Sequence, residues 1–141
     1  MSKMLEKVSQ AWLRAWCSGE TEAFEEIVAP GYIRHSKTSD EKVGDVIKQI
    51  EASHEAFTDF DVEILRSVED DDTIAIHWQA NGIHTGSFMG VPPTGRKVVV
   101  SGAAFIKHAD GKITEETSVW DPRDLLNAMK IIHLGAASKA S

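Results

Sequence analysis

Asp121 is the side chain in this chain with the best claim to proton chemistry. It closes the stretch 81–121, NGIHTGSFMGVPPTGRKVVVSGAAFIKHADGKITEETSVWD, which holds a histidine, a Gly/Pro-rich turn and two β-type runs around Asp110-Gly111. Pro122 follows, and a proline lacks a backbone donor and restricts its neighbour, so the strand must stop or turn there. If Asp121 faces inward, alternation puts Val119, Thr117 and Glu115 on the same side. A lone carboxylate among apolar neighbours is desolvated, so its pKa rises above the usual value of about 3.9 and it becomes a general acid/base. The alternative is an exposed turn aspartate capping a C-terminal helix.

The other candidates are weaker. Six histidines occur with no HxH, HxxxH or cysteine partner, so no metal signature is present. His35 and His84 sit in loop-like or strand-end surroundings. The one cysteine, Cys17, lies in a helical pattern beside Trp16 and reads as a small packed residue. No GxSxG elbow accompanies a Ser-His-Asp order. The acidic run 69–72 lacks the glycine and terminal glutamate of a calcium loop. Met89, next to Phe88, reads as loop packing first and ligand contact second.

The elements that would position these groups fall into two halves. Leu5, Val8, Trp12 and Trp16 recur at three- and four-residue steps with polar residues between, the stripe of an amphipathic helix. Trp12 and Trp16 can pack in the core and also line the mouth of a cavity. A second helix is predicted at 22–28 with Thr21 as N-cap, ended by Pro30-Gly31. A short extended piece follows at Tyr32 to His35, and then a polar loop at 36–40. Thr38 with Glu41 three residues on is a capping-box signature for a third helix, whose face carries Val43, Ile47, Ile50, His54 and Phe57. After Thr58 the period changes to two. Strands are predicted around Phe60 to Ile64 and at 73–83, 96–107 and 112–121, with a C-terminal helix at 123–132. Gly82, Gly86 and Gly102 fit bulges or bends. Helices first and antiparallel strands afterwards give an α+β architecture, a curved sheet covered on one face by helices with a pocket between them.

Bulk properties narrow the partners. The chain has 141 residues and a net charge of −7 from 22 acidic and 15 basic side chains. Such a surface repels phosphate backbones and anionic lipid, which disfavours nucleic-acid and membrane partners. The N-terminus threads charges among its apolar residues, unlike a signal peptide, and no apolar run approaches a membrane span, so the cytoplasm is the expected compartment. One domain is expected at 1–134, with a frayed tail, GAASKAS, at 135–141.

Together, Gly82-Ile83-His84-Thr85-Gly86, then Phe88-Met89-Gly90-Val91-Pro92-Pro93-Thr94-Gly95-Arg96, then Asp110-Gly111-Lys112-Ile113 with Glu115, and finally Trp120-Asp121, resemble the SnoaL-like polyketide cyclase (ester cyclase) family of the nuclear-transport-factor-2-like superfamily. The resemblance is tight over roughly the last 60 residues and looser over the helical half. It implies a cone-shaped α+β barrel with a deep apolar pocket, no metal and no cofactor. It also implies a hydrophobic small-molecule substrate and a homodimer or higher homo-oligomer formed across the open sheet face. In the characterised cyclases one aspartate performs intramolecular aldol closure, and the resemblance places that role on Asp121, with His35 and His84 as polar wall candidates. Phe105 and Lys107 fall where those cyclases carry polar pocket residues, and Thr117 where members often carry tryptophan. A phenylalanine at such a position removes a hydrogen-bond partner for a substrate carbonyl. Two other readings share the scaffold: an isomerase or epoxide hydrolase, the latter requiring an Asp-Arg-Asp set around a water that the sequence does not clearly offer, and a non-catalytic small-molecule-binding or dimerisation domain.

Overall fold

A computed structural model describes residues 3–36, 39–88 and 90–130. Thr38, Met89, the last two residues of the expected C-terminal helix and the expected tail lie outside them. The order is α1 (Lys3–Trp16), α2 (Thr21–Ile27), β1 (Val28–His35), β2 (Asp40–Glu41), α3 (Val43–Ala56), β3 (Phe57–Glu69), β4 (Thr73–His84), β5 (Lys97–Ala109), β6 (Lys112–Trp120) and α4 (Pro122–Ala128). The strands form one curved, unclosed sheet in the order β2-β1-β6-β5-β4-β3. All neighbours run antiparallel except β1 and β6, which pair in parallel. Among the described residues no helix is long and apolar enough to cross a membrane.

The apolar stripes explain the packing. Leu5, Val8 and Trp12 of α1, Phe24 of α2 and Val46 and Ile50 of α3 share one buried cluster with Ile74, Ile76, Ile106 and Ile113 of the sheet. A second cluster joins Phe57 and Val98 to Leu125 and Met129 around the C-terminal helix. Two local expectations are corrected. Glu41 is not a helix-capping residue: it lies in β2, and four residues further on the Asp45 carboxylate accepts from the Lys42 N–H at 3.0 Å. Thr21 is the first residue of α2, and Glu20 stands before it without a side-chain cap.

The expected strand glycines play three different parts. Gly82 lies opposite the β3 bulge between Thr58 and Asp61, and Gly86 lies beyond the end of β4. Gly102 stands in unbroken register between Trp78 and Trp120. A Cβ there would lie 2.6 Å from Trp78 Cζ2, 2.6 Å from the Val119 carbonyl oxygen and 2.8 Å from Trp120 Cβ. Two of those atoms belong to backbone or to a side chain's root and cannot swing aside. Gly102→Ala is therefore expected to cost about 1–3 kcal/mol by overpacking, read as a lower urea midpoint at unchanged slope.

Candidate active site

Between the helices and the inner sheet face lies a cavity of about 580 Å³. Trp12 and Trp16 of α1, Phe57, Phe60 and Trp78 of the sheet, and Phe88 supply its aromatic walls. Trp12 lies 6.3 Å from Trp16 and 6.5 Å from Trp78 between ring centroids. Such a surface suits a flat, apolar ligand.

The charged side chains of the wall come from three adjacent strands. Arg34 of β1 faces Glu41 of β2 on one side and Glu116 of β6 on the other. The result is a carboxylate–guanidinium–carboxylate row. The Arg34 Nε donates to Glu41 Oε1 at 2.9 Å, and Nη2 lies 2.8 Å from the same oxygen. Gln49 of α3 accepts from Arg34 Nη2 and donates to Glu41 Oε2, so three side chains hold one another. The guanidinium lies 5.7 Å from the Trp16 ring centroid.

Glu116 is 2 % exposed, and its Oε1 accepts from Tyr32 Oη at 3.1 Å. Burial is the largest influence on its carboxyl and pushes the pKa up. Arg34, the Tyr32 hydroxyl and the nearby Trp12 indole oppose that shift without cancelling it. The Trp12 N–H nonetheless makes no hydrogen bond within 3.5 Å, so its influence is a longer-range one. Tyr32 is raised far above the ordinary phenol range, by burial first and by Glu116 second, and stays protonated as a donor.

The residues singled out in the sequence are dispersed. Trp12 and Trp16 line the cavity. Phe105, Lys107 and Thr117 are exposed on the opposite face of the sheet, Phe105 at 46 %. His35 bridges Asp40 at 2.7 Å and Glu115 at 2.6 Å and is not part of the cavity wall; those two hydrogen bonds raise its pKa. His84 is fully buried, its Nδ1 accepting from the Thr94 N–H at 3.3 Å and lying 3.0 Å from the Thr94 hydroxyl, and it stays off the wall as well. Asp121 stands at the N-cap of α4. Its Oδ1 accepts from the Arg123 N–H at 2.9 Å, Oδ2 lies 3.6 Å from Arg123 Nε, and the side chain is 48 % exposed. Its neighbours Trp120 and Pro122 line the cavity, but Asp121 does not.

The inward face of β6 is Glu116, Ser118 and Trp120, the opposite phase to the expected one. The expected phase was counted from Asp121, which is exposed at the N-cap of α4, so its alternates Val119, Thr117 and Glu115 face away from the cavity. A bulge at Thr114, where Lys107 pairs with Glu115 but His108 pairs with Ile113, lies ahead of this stretch and lets both Ile113 and Glu116 be buried. Sequence reasoning passed over Arg34, Glu41, Gln49 and Glu116. The one available signal was the two-residue spacing of Tyr32 and Arg34 in an extended segment.

A family model described as SnoaL-like polyketide cyclase matches residues 6–129. Among solved structures, the chain is similar to AclR of Streptomyces galilaeus, a proposed hydroxylase, at 25 % identity and a TM-score of 0.82, covering 93 % of this chain and 100 % of that one. TsrD of Streptomyces laurentii matches at 15 % identity and a TM-score of 0.84, over 94 % and 99 % of the two chains. IdmH of Streptomyces antibioticus, a proposed polyketide cyclase, matches at 22 % identity and a TM-score of 0.80, over 92 % and 99 %. No curated protein matches the chain at a significant level.

Proposed function

The chain belongs to the SnoaL-like polyketide cyclase family, and from that premise we propose that it is a cofactor-independent enzyme that moves a proton on a hydrophobic carbonyl compound, by aldol-type ring closure or a related enolisation, with Glu116 as general acid/base. The observation that carries this reading is a carboxyl group 2 % exposed in the wall of an otherwise largely apolar cavity. Desolvation raises its pKa toward the working pH, which strengthens the carboxylate as a base and keeps the acid form available. In the step, Glu116 takes a proton from the carbon next to the carbonyl. The released pair forms the new carbon–carbon bond, and the resulting alkoxide takes the proton back. Nothing else is consumed.

Asp121 is the competing residue, since it sits at the rim between two lining side chains. The test is exchange of the α-protons of β-tetralone into deuterated water, followed by NMR. Enzyme-dependent exchange that survives Asp121→Asn supports Glu116, and exchange lost in that variant moves the role to Asp121. The fold does not confuse this comparison. Asparagine caps a helix as well as aspartate does, whereas Asp121→Ala should cost about 1 kcal/mol of stability. Absence of any wild-type exchange favours the non-catalytic binder. The row Glu41–Arg34–Glu116 also supports water activation for epoxide opening, which hydrolysis of styrene oxide would reveal.

The outer sheet face supports a homodimer as part of the same proposal. Val68, Ala75, Phe105 and Thr117 form one row across β3 to β6, and Val99 and Val119 are exposed on the same face. Phe105→Lys with Val119→Lys is expected to shift the sedimentation coefficient from dimer to monomer without changing the helix signal.

A further inference from the structure

We propose that Arg34 anchors the ligand, and that the group it holds through Nη1 is the oxygen of a neutral ketone and not of a carboxylate. This rests on the proton-transfer reading above and specifies its substrate. Arg34 is 6 % exposed and lines the cavity. Its Nε and Nη2 are committed to Glu41 and Gln49, whereas Nη1 has no protein partner among the described residues. Among the described residues the enclosed unpartnered side-chain atoms are Trp12 Nε1, Trp16 Nε1, His84 Nε2 and His108 Nε2. Arg34 Nη1 is not one of them, so it is unpartnered yet accessible in a residue that is almost wholly buried. An accessible donor in that state bonds to water in the open cavity, and a ligand oxygen can take that water's place.

Charge selects the kind of oxygen. Glu41 already neutralises Arg34, and Glu116 is the next carboxyl along the row. A ligand carboxylate would crowd a third acid around one guanidinium, whereas a ketone brings only a dipole. Negative charge on that oxygen develops only during the reaction. When Glu116 takes the α-proton, the C–H pair becomes the enolate double bond and the carbonyl π pair moves onto oxygen, beside Nη1. Return of the proton from Glu116 to carbon, or to the alkoxide formed on ring closure, balances the step. The guanidinium is fixed by Glu41, Gln49 and the Trp16 ring before the charge appears, so little reorganisation is needed.

The test compares β-acetonaphthone with β-ethylnaphthalene, which has nearly the same shape and no oxygen, by titration calorimetry on the full chain. Wild type is expected to bind the ketone at least tenfold more tightly. Removing Arg34 alone can unfold the protein by stranding Glu41, so the variant is Arg34→Met combined with Glu41→Leu, neither of which brings a donor, with its fold checked by circular dichroism. It is expected to bind both compounds equally. A ketone preference retained in the folded double variant, or absent in wild type, overturns the anchor. Tighter wild-type binding of β-naphthoate than of the ketone overturns the ligand class. Failure here is distinguishable from failure of the acid/base reading, because Glu116→Gln is read separately in β-tetralone exchange and should leave the ketone preference in place.

Discussion

Glu116→Gln is expected to slow α-proton exchange by about a hundred- to ten-thousandfold, the range that positioned acid/base groups contribute, while making the protein more stable at alkaline pH. The second half of that expectation tests whether the folded state holds the Glu116 proton more tightly than the unfolded chain does. The folded state raises the Glu116 pKa, mainly by burial. The folded protein therefore holds this proton more tightly than the unfolded chain, whose glutamate titrates at about 4.3. The stabilisation is fully present below that value and is lost as pH rises through the folded pKa. Glutamine is always neutral, nearly isosteric, and still offers an oxygen to the Tyr32 hydroxyl, so the variant avoids that loss. Melting temperatures at pH 5, about 7 and about 9 should show the gap between variant and wild type widening in the variant's favour. Glutamine destabilising equally at every pH would mean that Glu116 serves packing and hydrogen bonding alone.

Much of the architecture was legible from periodicity, because the helices and strands each bury one face and their sequences alternate accordingly. The stripe of Leu5, Val8 and Trp12 and the alternation of Ile74, Ile76 and Trp78 place those residues on the faces where they occur. The site was far less legible, for two physical reasons. The first is a single residue: Asp121 follows the last residue of β6 and turns outward as the N-cap of α4, so counting back from it selects Thr117 and Glu115 when the inward face carries Ser118 and Glu116. No local pattern marks that orientation, since an aspartate before a proline suits a strand end and a helix N-cap alike. The second reason is range. Arg34 meets Glu116 through a parallel pairing of β1 with β6, about 80 residues apart in sequence, and parallel neighbours cannot be read from a hairpin turn. Glu41 was concealed by a plausible local pattern, the spacing of a capping box, that the chain fulfils one turn later with Asp45.

Arg34→Met is expected to be the most destabilising single substitution at the site, at about 3–5 kcal/mol, because it leaves Glu41 poorly solvated beside a cavity with no cation. Glu41 keeps only Gln49 as a partner, and Glu116 loses the positive charge that opposes its upward shift. The ion pair itself need not be worth that much. Two buried ions surrender hydration that their mutual attraction only roughly restores, so replacing both by apolar groups removes the penalty together with the attraction. Arg34→Met combined with Glu41→Leu should therefore recover most of the loss, a strongly non-additive result in a urea-unfolding cycle. A double variant no more stable than Arg34→Met alone would assign the loss to contacts outside the pair, namely the Trp16 ring and Gln49. Recovery of stability without recovery of a ketone preference would give the arrangement its meaning. The chain could fold around an apolar patch in these two positions, so a charged row that contributes little to folding is retained for what it does to a ligand's oxygen.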